Sequence, residues 1–393
     1  MSLVSPVAIL TPAYPPDRGG LGLALGRLAR RLSVRVPVEV IVIQRSRSAS
    51  LCADRQDDVN VIVIRITGPR WDALQQRAFR LLSERGPYRL VHGVYPSRTG
   101  FLATLAARYF SIPVLLAARG NDLEKDIFRD PWQSGVLHAL RQADLTVGVS
   151  RDLCRIAQAL GARATRWLPN GVDCQHFQPG AADASLYEKW SLQDAFPLIG
   201  FSGEARRKKG LDALLRAFGL LRLRYPQARL LLLGGVREDD REEYEHLLDS
   251  LPGIRAGIMA IDWLSQEDLA SYYRLLDLVW HPSSHDGMPN AVLEALACGI
   301  PVVAARVGGI VDVLEGSVWE PWMIPPSSPL DLAESSLKLL ALPREERARL
   351  GAAGRLYVGR HFSAGGEVDA YLAVYEQLTT GDEYTRSSSS TSP

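Results

Sequence analysis

Cysteine is scarce. The 393 residues hold four, Cys52, Cys154, Cys174 and Cys298, with no C-x-x-C pair, so neither a zinc cage nor a disulfide framework is suggested and the thiols read as reduced, in a cytoplasmic protein. Charge of one sign is lacking as well. Lys and Arg number 45 against 44 Asp and Glu, a formal charge of +1, which argues against a nucleic-acid binder held by bulk charge. No uninterrupted apolar run approaches the ~18 residues of a spanning helix, and the N-terminus has no basic region followed by an apolar stretch and cleavage site. The expectation is a soluble chain, or one that rests on a membrane surface. A G-x-x-x-x-G-K-[ST] loop is missing, which argues against a P-loop nucleotide hydrolase. Apolar residues, at 47%, are plentiful, and at roughly 150 residues per domain the length supports two to three domains with ordinary cores.

Short apolar runs alternate with helical patterns along nearly the whole chain, the signature of parallel sheets built from βαβ units. Predicted strands at 7–10, 38–43, 61–66, 90–92, 114–117 and 145–149 alternate with helices at 21–31, 73–84, 100–109 and 152–160. Pro169-Asn170-Gly171 is strong turn chemistry, and the Pro/Gly/Ala-rich stretch 178–184 is expected to be a linker. The alternation then restarts, with strands at 198–201, 229–233, 278–281 and 301–304 and helices at 211–224, 238–249, 265–275, 290–298 and 330–340. An amphipathic helix over 366–378 precedes a polar tail ending in Arg386-Ser-Ser-Ser-Ser-Thr-Ser-Pro393, expected to be disordered. The expected fold class is α/β: two Rossmann-like doubly wound domains, residues 1–184 and 185–365, facing across a cleft where a small molecule would bind.

Three clusters carry chemistry. The first is Gly19-Gly20-Leu21-Gly22, after Pro15-Pro16-Asp17-Arg18 and before an amphipathic helix. Glycines at a helix start let an anion or a sugar approach free backbone N–H groups; a bare turn and cap is the plainer alternative. A nicotinamide fingerprint fits poorly, because Gly20 lies far beyond the strand end at Leu10 and no acid ends the second strand at Gln44-Arg45. The second cluster, Gly203-Glu204-Ala205-Arg206-Arg207-Lys208-Lys209-Gly210, follows a buried strand at the sheet's expected C-terminal edge. Arg206 and Lys209 are the candidate diphosphate ligands, and Arg207 and Lys208 read as a solvated turn. The third begins at His281 and contains Asp286-Gly287-Met288-Pro289-Asn290 and Glu294. With Pro289 and Asn290 starting a helix, both carboxylates and its free N–H groups can converge on one ligand, and carboxylates suit sugar hydroxyls.

Together these motifs resemble the retaining GT-B glycosyltransferases of the glycosyl transferases group 1 family, relatives of glycogen synthase and sucrose synthase. The family carries an acid, seven residues and a glutamate, then a small-residue stretch, Gly, one residue and Pro; here these are Asp286, Glu294, Gly299 and Pro301. Its other marks follow in order: Gly19-Gly20, Val149-Ser150, Pro169-Asn170-Gly171-Val172-Asp173 with Phe177 and Pro179, Gly203 with Lys209-Gly210, Gly308-Gly309, and a terminal helix from Tyr371 to Leu378. The resemblance spans about residues 4 to 378.

It implies sugar transfer from a nucleotide diphosphate sugar to a glycan, lipid-linked or small-molecule acceptor, with retention, no cofactor and no required metal. It also implies a C-terminal helix, 366–379, that packs back on the first domain, with 380–393 beyond it. Arg206, Lys209 and Asp286 would be catalytic. Glu294 would take the ribose hydroxyls, Asp286 with the backbone of Gly287, Met288, Pro289 and Asn290 the donor sugar, and Lys209 the diphosphate. Gly19, Gly20, Arg119, Asn170 and Gly203 complete the donor set, and Trp263 and Leu264 stand where backbone groups meet the base; the plainer alternative for Trp263 is a core residue. A front-face substitution, in which the leaving phosphate helps deprotonate the acceptor, leaves no nucleophile to name.

Departures from the family pattern are local. Asp286 replaces the usual glutamate, Glu204 follows Gly203 where many members have arginine, and Arg119-Gly120 replaces His-Gly. Trp319-Glu320-Pro321-Trp322 replaces a glycine-rich segment and matches nothing in the pattern. Substitutions at Glu204 and Asp286 keep a non-catalytic sugar-nucleotide-binding subunit in view, with an epimerase as a further alternative. Arg27, Arg30 and Arg31, with Arg35 just beyond, lie opposite Leu21, Leu25, Leu28 and Leu32 on the first helix. That basic face is either solvated or rests on anionic lipid at the inner face of a membrane.

Overall fold

The computed structural model describes residues 5–17, 19–56, 61–130 and 132–380. Arg18 and, apart from Thr380, the expected tail lie outside them. The chain forms two compact units, one made of the residues up to Leu168 with those from Glu367 onward, the other of Pro169–Gly366.

In the first unit β1 (Val7–Thr11), β2 (Val38–Arg45), β3 (Ser50–Gln56), β4 (Val61–Gly68), β5 (Leu90–Val94), β6 (Val114–Ala118), β7 (Leu145–Gly148) and β8 (Thr165–Trp167) form one sheet, ordered β3-β4-β2-β1-β5-β6-β7-β8. All pairs are parallel except β3 with β4. Mostly apolar runs such as β1 and the first six residues of β2 are buried, because helices cover a parallel sheet on both faces; the one charged residue among them, Glu39, is met by Arg85 and Tyr88. The core joins Val7, Ile9, Val40 and Leu115 to Leu25, Leu28 and Leu32 of the Gly20–Leu32 helix and to Tyr371, Val374 and Tyr375 of the C-terminal Ala364–Thr380 helix.

In the second unit β9 (Leu198–Ser202), β10 (Arg229–Leu233), β11 (Ile258–Ile261), β12 (Leu278–His281), β13 (Val302–Ala305) and β14 (Met323–Ile324) run parallel in the order β11-β10-β9-β12-β13-β14. The chain order reverses between β9 and β12. In doubly wound sheets that switch point opens a crevice at the carboxyl ends of the strands. The Gly203–Gly210 loop leaves β9 there and the Pro282–Pro289 loop leaves β12, so the two motifs are brought side by side.

The boundary expected at residue 184 falls instead at Leu168–Pro169. Backbone bonds explain the shift: Val172 N donates to Phe362 O at 2.7 Å and Ala364 N to Val172 O at 2.9 Å. Arg355 then donates to the carbonyls of Cys174 and Phe177. A Cβ on Gly171 would lie 2.5 Å from Ser363 O, so this close approach needs the glycine. Several elements were not foreseen, among them the Arg344–His361 helix. Its buried residues are Gly351, Gly354 and Val358, which leave no apolar period to read. No helix among the described residues is long and apolar enough to cross a membrane.

Candidate functional site

The site of the second unit is built on its two glycine-flanked turns. Gly203 leaves β9 at φ +118°, and a short helical turn over Arg207–Lys209 ends at Gly210, φ +79°, where the Leu211–Arg224 helix starts. A Cβ on Gly210 would sit 2.3 Å from Pro282 O. The turn therefore lies directly against the β12 loop, and Ser284 fastens it by donating from N and Oγ to Lys208 O, each at 3.1 Å.

Lys209 Nζ consequently reaches Asp286 Oδ2 at 2.5 Å, with the two side chains 19% and 10% exposed. His281 Nε2 lies 2.7 Å from the same oxygen. Burial alone would push the Asp286 carboxyl up, but the Lys209 ammonium and the His281 hydrogen bond hold it well below the usual carboxylate range. Burial pushes the His281 imidazole down, the Lys209 charge adds to that, and Asp286 opposes both. The arrangement is a neutral imidazole and an ammonium on one carboxylate.

Arg207 pairs with Glu243 at the surface, which agrees with a solvated turn. Arg206 is half-buried, its Nε has no hydrogen-bond partner, and no ion pair joins it among the described residues. It is the cation in this turn left available to an anion.

Behind the Asp286 loop stands the Gly308–Leu314 helix. Gly309 N donates to Asp286 O at 3.1 Å, and a Cβ on Gly308 or Gly309 would come within 2.0 Å of Asp286 O or 2.3 Å of Gly287 O. Gly308→Ala is therefore expected to destabilise the fold by about 1–3 kcal/mol through overpacking. Urea unfolding reads it; unchanged stability would show that the loop is not held from behind.

The Asn290–Ala297 helix begins after Pro289, and all its residues beyond Asn290 are buried. Asn170 Nδ2 donates to Asn290 Oδ1 at 2.9 Å, which ties the Pro169-Asn170-Gly171 turn to that helix start. Glu294 is 6% exposed and accepts from Tyr273 Oη at 3.0 Å. Burial and the neighbouring Glu294 raise the Tyr273 hydroxyl well above its ordinary value, so it stays a donor. Trp263 and Leu264 follow β11, the edge strand two places from β9 and roughly 10 Å away by strand spacing. Trp263 is exposed, not core.

In the first unit Gly19 has φ +122°, a Cβ there would meet nothing within 4 Å, and Gly20 opens the helix. The loop before it is braced from the sheet: Asp17 Oδ2 accepts from Tyr14 N, Gln44 Nε2 and Arg65 Nη1, and Arg65 Nη2 donates to Tyr14 O. None of these bracing residues was singled out from sequence. Arg119 follows β6, its N–H and that of Gly120 bonded by Asp122, whose carboxyl burial pushes up to about 6 against those same bonds. Arg119 Nη2 lies 3.5 Å from Tyr371 Oη.

Two sequence features find their surroundings in the structure. The basic face of the first helix is partly taken up within the unit, since Arg27 lies 3.7 Å from Glu367 and Arg35 3.9 Å from Asp369 of the C-terminal helix, while Arg30 is exposed. The uninterpreted Trp319–Trp322 segment is explained by packing: Trp319 is wholly buried against Gly354, where a Cβ would lie 2.4 Å from the indole Nε1.

A doubly wound sheet with a cation–carboxylate pair at its switch point defines an α/β protein with charged side chains where such folds bind their ligands. Comparison with known proteins makes the class specific. Residues 185–357 match the model of the Glycosyl transferases group 1 family, and residues 19–171 that of the Glycosyl transferase 4-like domain. A D-inositol 3-phosphate glycosyltransferase of Xylanimonas cellulosilytica is 35% identical over 92% of this chain and 93% of its own. One from Saccharomonospora viridis is 33% identical over 77% and 73%. The fold is that of sucrose-phosphate synthase from Thermosynechococcus elongatus, with TM-score 0.79, 22% identity and coverage of 96% and 100%. Anabaena HepE in complex with UDP-glucose gives TM-score 0.80 at 18% identity, covering 95% and 100%. The chain belongs to the group 1 glycosyltransferases, with the GT-B fold, and transfers a sugar from a nucleotide sugar. These relatives do not favour an epimerase or a non-catalytic subunit.

Proposed function

We propose that the chain is a retaining, metal-independent glycosyltransferase whose donor diphosphate lies against Lys209 and Arg206. The observation that carries this is the Lys209 ammonium fixed beside Asp286 at the switch point, with Arg206 unpaired on the same turn. Cleavage of the sugar–phosphate bond leaves negative charge on phosphate, and cations placed beforehand stabilise it without reorganisation. Asp286, with the backbone of Gly287 to Asn290, holds the donor sugar, and Glu294 holds the ribose. Asn170 acts through Asn290, and Gly203 gives the phosphates access to backbone. In the first unit Gly19, Gly20 and Arg119 bind a sugar or phosphate group, and in the second Trp263 and Leu264 meet the base. Asp286 Oδ2 is taken up by Lys209 and His281, and the reaction proceeds by front-face substitution in which the leaving phosphate helps deprotonate the acceptor. The acceptor is a glycan, a lipid-linked sugar or a small polyol, in polysaccharide or glycoconjugate synthesis at the cytoplasmic side.

A thermal-shift screen across UDP-, GDP- and ADP-sugars tests donor binding: one base should raise the melting temperature, and no shift with any donor would reject the site. Tyr273→Phe removes the donor to Glu294, so the Michaelis constant for the nucleotide sugar should rise about tenfold with kcat little changed. Unchanged kinetics would free Glu294 from that partner. Anionic lipid would be met through Arg30, which is exposed, Arg27 being taken up by Glu367. Sedimentation with phosphatidylglycerol vesicles at low and high salt should show binding that salt removes, and no salt-sensitive binding rejects the lipid contact.

A further inference from the structure

The two oxygens of Asp286 are unequally committed. Oδ2 accepts from Lys209 Nζ and from His281 Nε2, at 2.5 and 2.7 Å, while no bond to Oδ1 is made among the described residues. His281 is the last residue of β12, 2% exposed, with Ser283 Oγ 3.2 Å from the same ring nitrogen. A carboxylate only accepts, so Nε2 carries the proton. Nδ1 is buried without a partner, which suits a bare lone pair and not a second N–H. The neighbouring Trp280 is anchored by its indole N–H to Ser336 Oγ at 2.7 Å, so the strand end that carries His281 is held in place.

We propose that His281 is a positioning residue for the donor sugar: together with Lys209 it pins Asp286 Oδ2, stops the carboxylate rotating, and leaves Oδ1 as the single acceptor offered to a sugar hydroxyl. The proposal rests on the reading of Asp286 as the sugar-binding acid. It explains how the short arm of an aspartate is given one direction. A core histidine that merely filled space would be replaced without functional loss by phenylalanine. A positioning histidine needs an N–H at the Nε2 position, which glutamine supplies and phenylalanine does not.

The test compares His281→Phe, His281→Gln and Asp286→Asn, using the UDP-, GDP- or ADP-sugar that most stabilises the wild-type chain and its parent nucleoside diphosphate. His281→Phe should lower kcat/KM for the nucleotide sugar about ten- to a hundredfold. The Kd of the nucleoside diphosphate, which has no sugar to orient, should be unchanged, and His281→Gln should recover most of the loss. Wild-type kinetics in His281→Phe, or an equal loss in His281→Gln, overturns the proposal. Wild-type activity in Asp286→Asn would instead overturn the reading of the site; an inactive Asp286→Asn beside a fully active His281→Phe removes His281 alone. Should His281→Phe fail to fold, imidazole 15N shifts of the intact protein decide. The Nε2–H tautomer should persist between about pH 6 and 8, and the opposite tautomer or a doubly protonated ring there overturns the proposal.

Discussion

Lys209→Ala is expected to lower kcat by about a hundred- to a thousandfold, the range seen when one preorganised donor to a developing oxyanion is removed. The Gly210 turn and the Ser284 bonds to Lys208 hold this ammonium in place before substrate arrives. Its stabilisation is therefore greatest when the phosphate acquires charge, and kcat falls more than affinity does. A second effect has to be separated. Lys209 is the ion-pair partner of a nearly buried carboxylate, so the single variant also strands Asp286, and breaking such a pair costs roughly 3–5 kcal/mol of stability. The double variant Lys209→Met with Asp286→Asn removes the stranded charge, so stability should return in urea unfolding while turnover does not. Near-normal turnover in Lys209→Ala would sink the assignment.

Glu294→Ala should act differently. It removes a buried carboxylate one helical turn inside the Asn290–Ala297 helix and leaves the Tyr273 hydroxyl with the Ala291 carbonyl, 3.3 Å away, as acceptor. Charge-assisted bonds to two ribose hydroxyls are worth about two orders of magnitude in kcat/KM. Ribose does not change during transfer, so the loss is uniform binding and falls on the Michaelis constant. Steady-state kinetics over a range of donor concentration distinguishes the two: a drop in kcat at unchanged KM would remove the ribose role.

What the sequence made legible follows from burial. Strands β1, β2, β9 and β10 are covered on both faces and so consist of long apolar runs, which alternate visibly with amphipathic helices. Strand β8 is partly exposed, β14 has two residues, and β3 opens with exposed Ser50, Leu51 and Cys52, so none had a run to find. The glycine-flanked clusters were readable as turns. Their meeting was not, because Lys209 and Asp286 lie 77 positions apart and are joined only by the adjacency of β9 and β12. His281 and Tyr273 gave no signal either, since a histidine ending a strand and a tyrosine in a helix read as core. The domain boundary was misplaced for a similar reason: the 169–183 stretch has no periodicity, and backbone pairing with residues 362–364 assigns it to the second unit.

The most direct measurement is release of nucleoside diphosphate from UDP-, GDP- and ADP-sugars by the purified chain, with Lys209→Ala as the control. Release is expected from the donor that stabilises the chain, slow without acceptor, and at least a hundredfold less with Lys209→Ala. Tight binding of a nucleotide sugar with no release by the wild-type chain, or equal release by the variant, would contradict it.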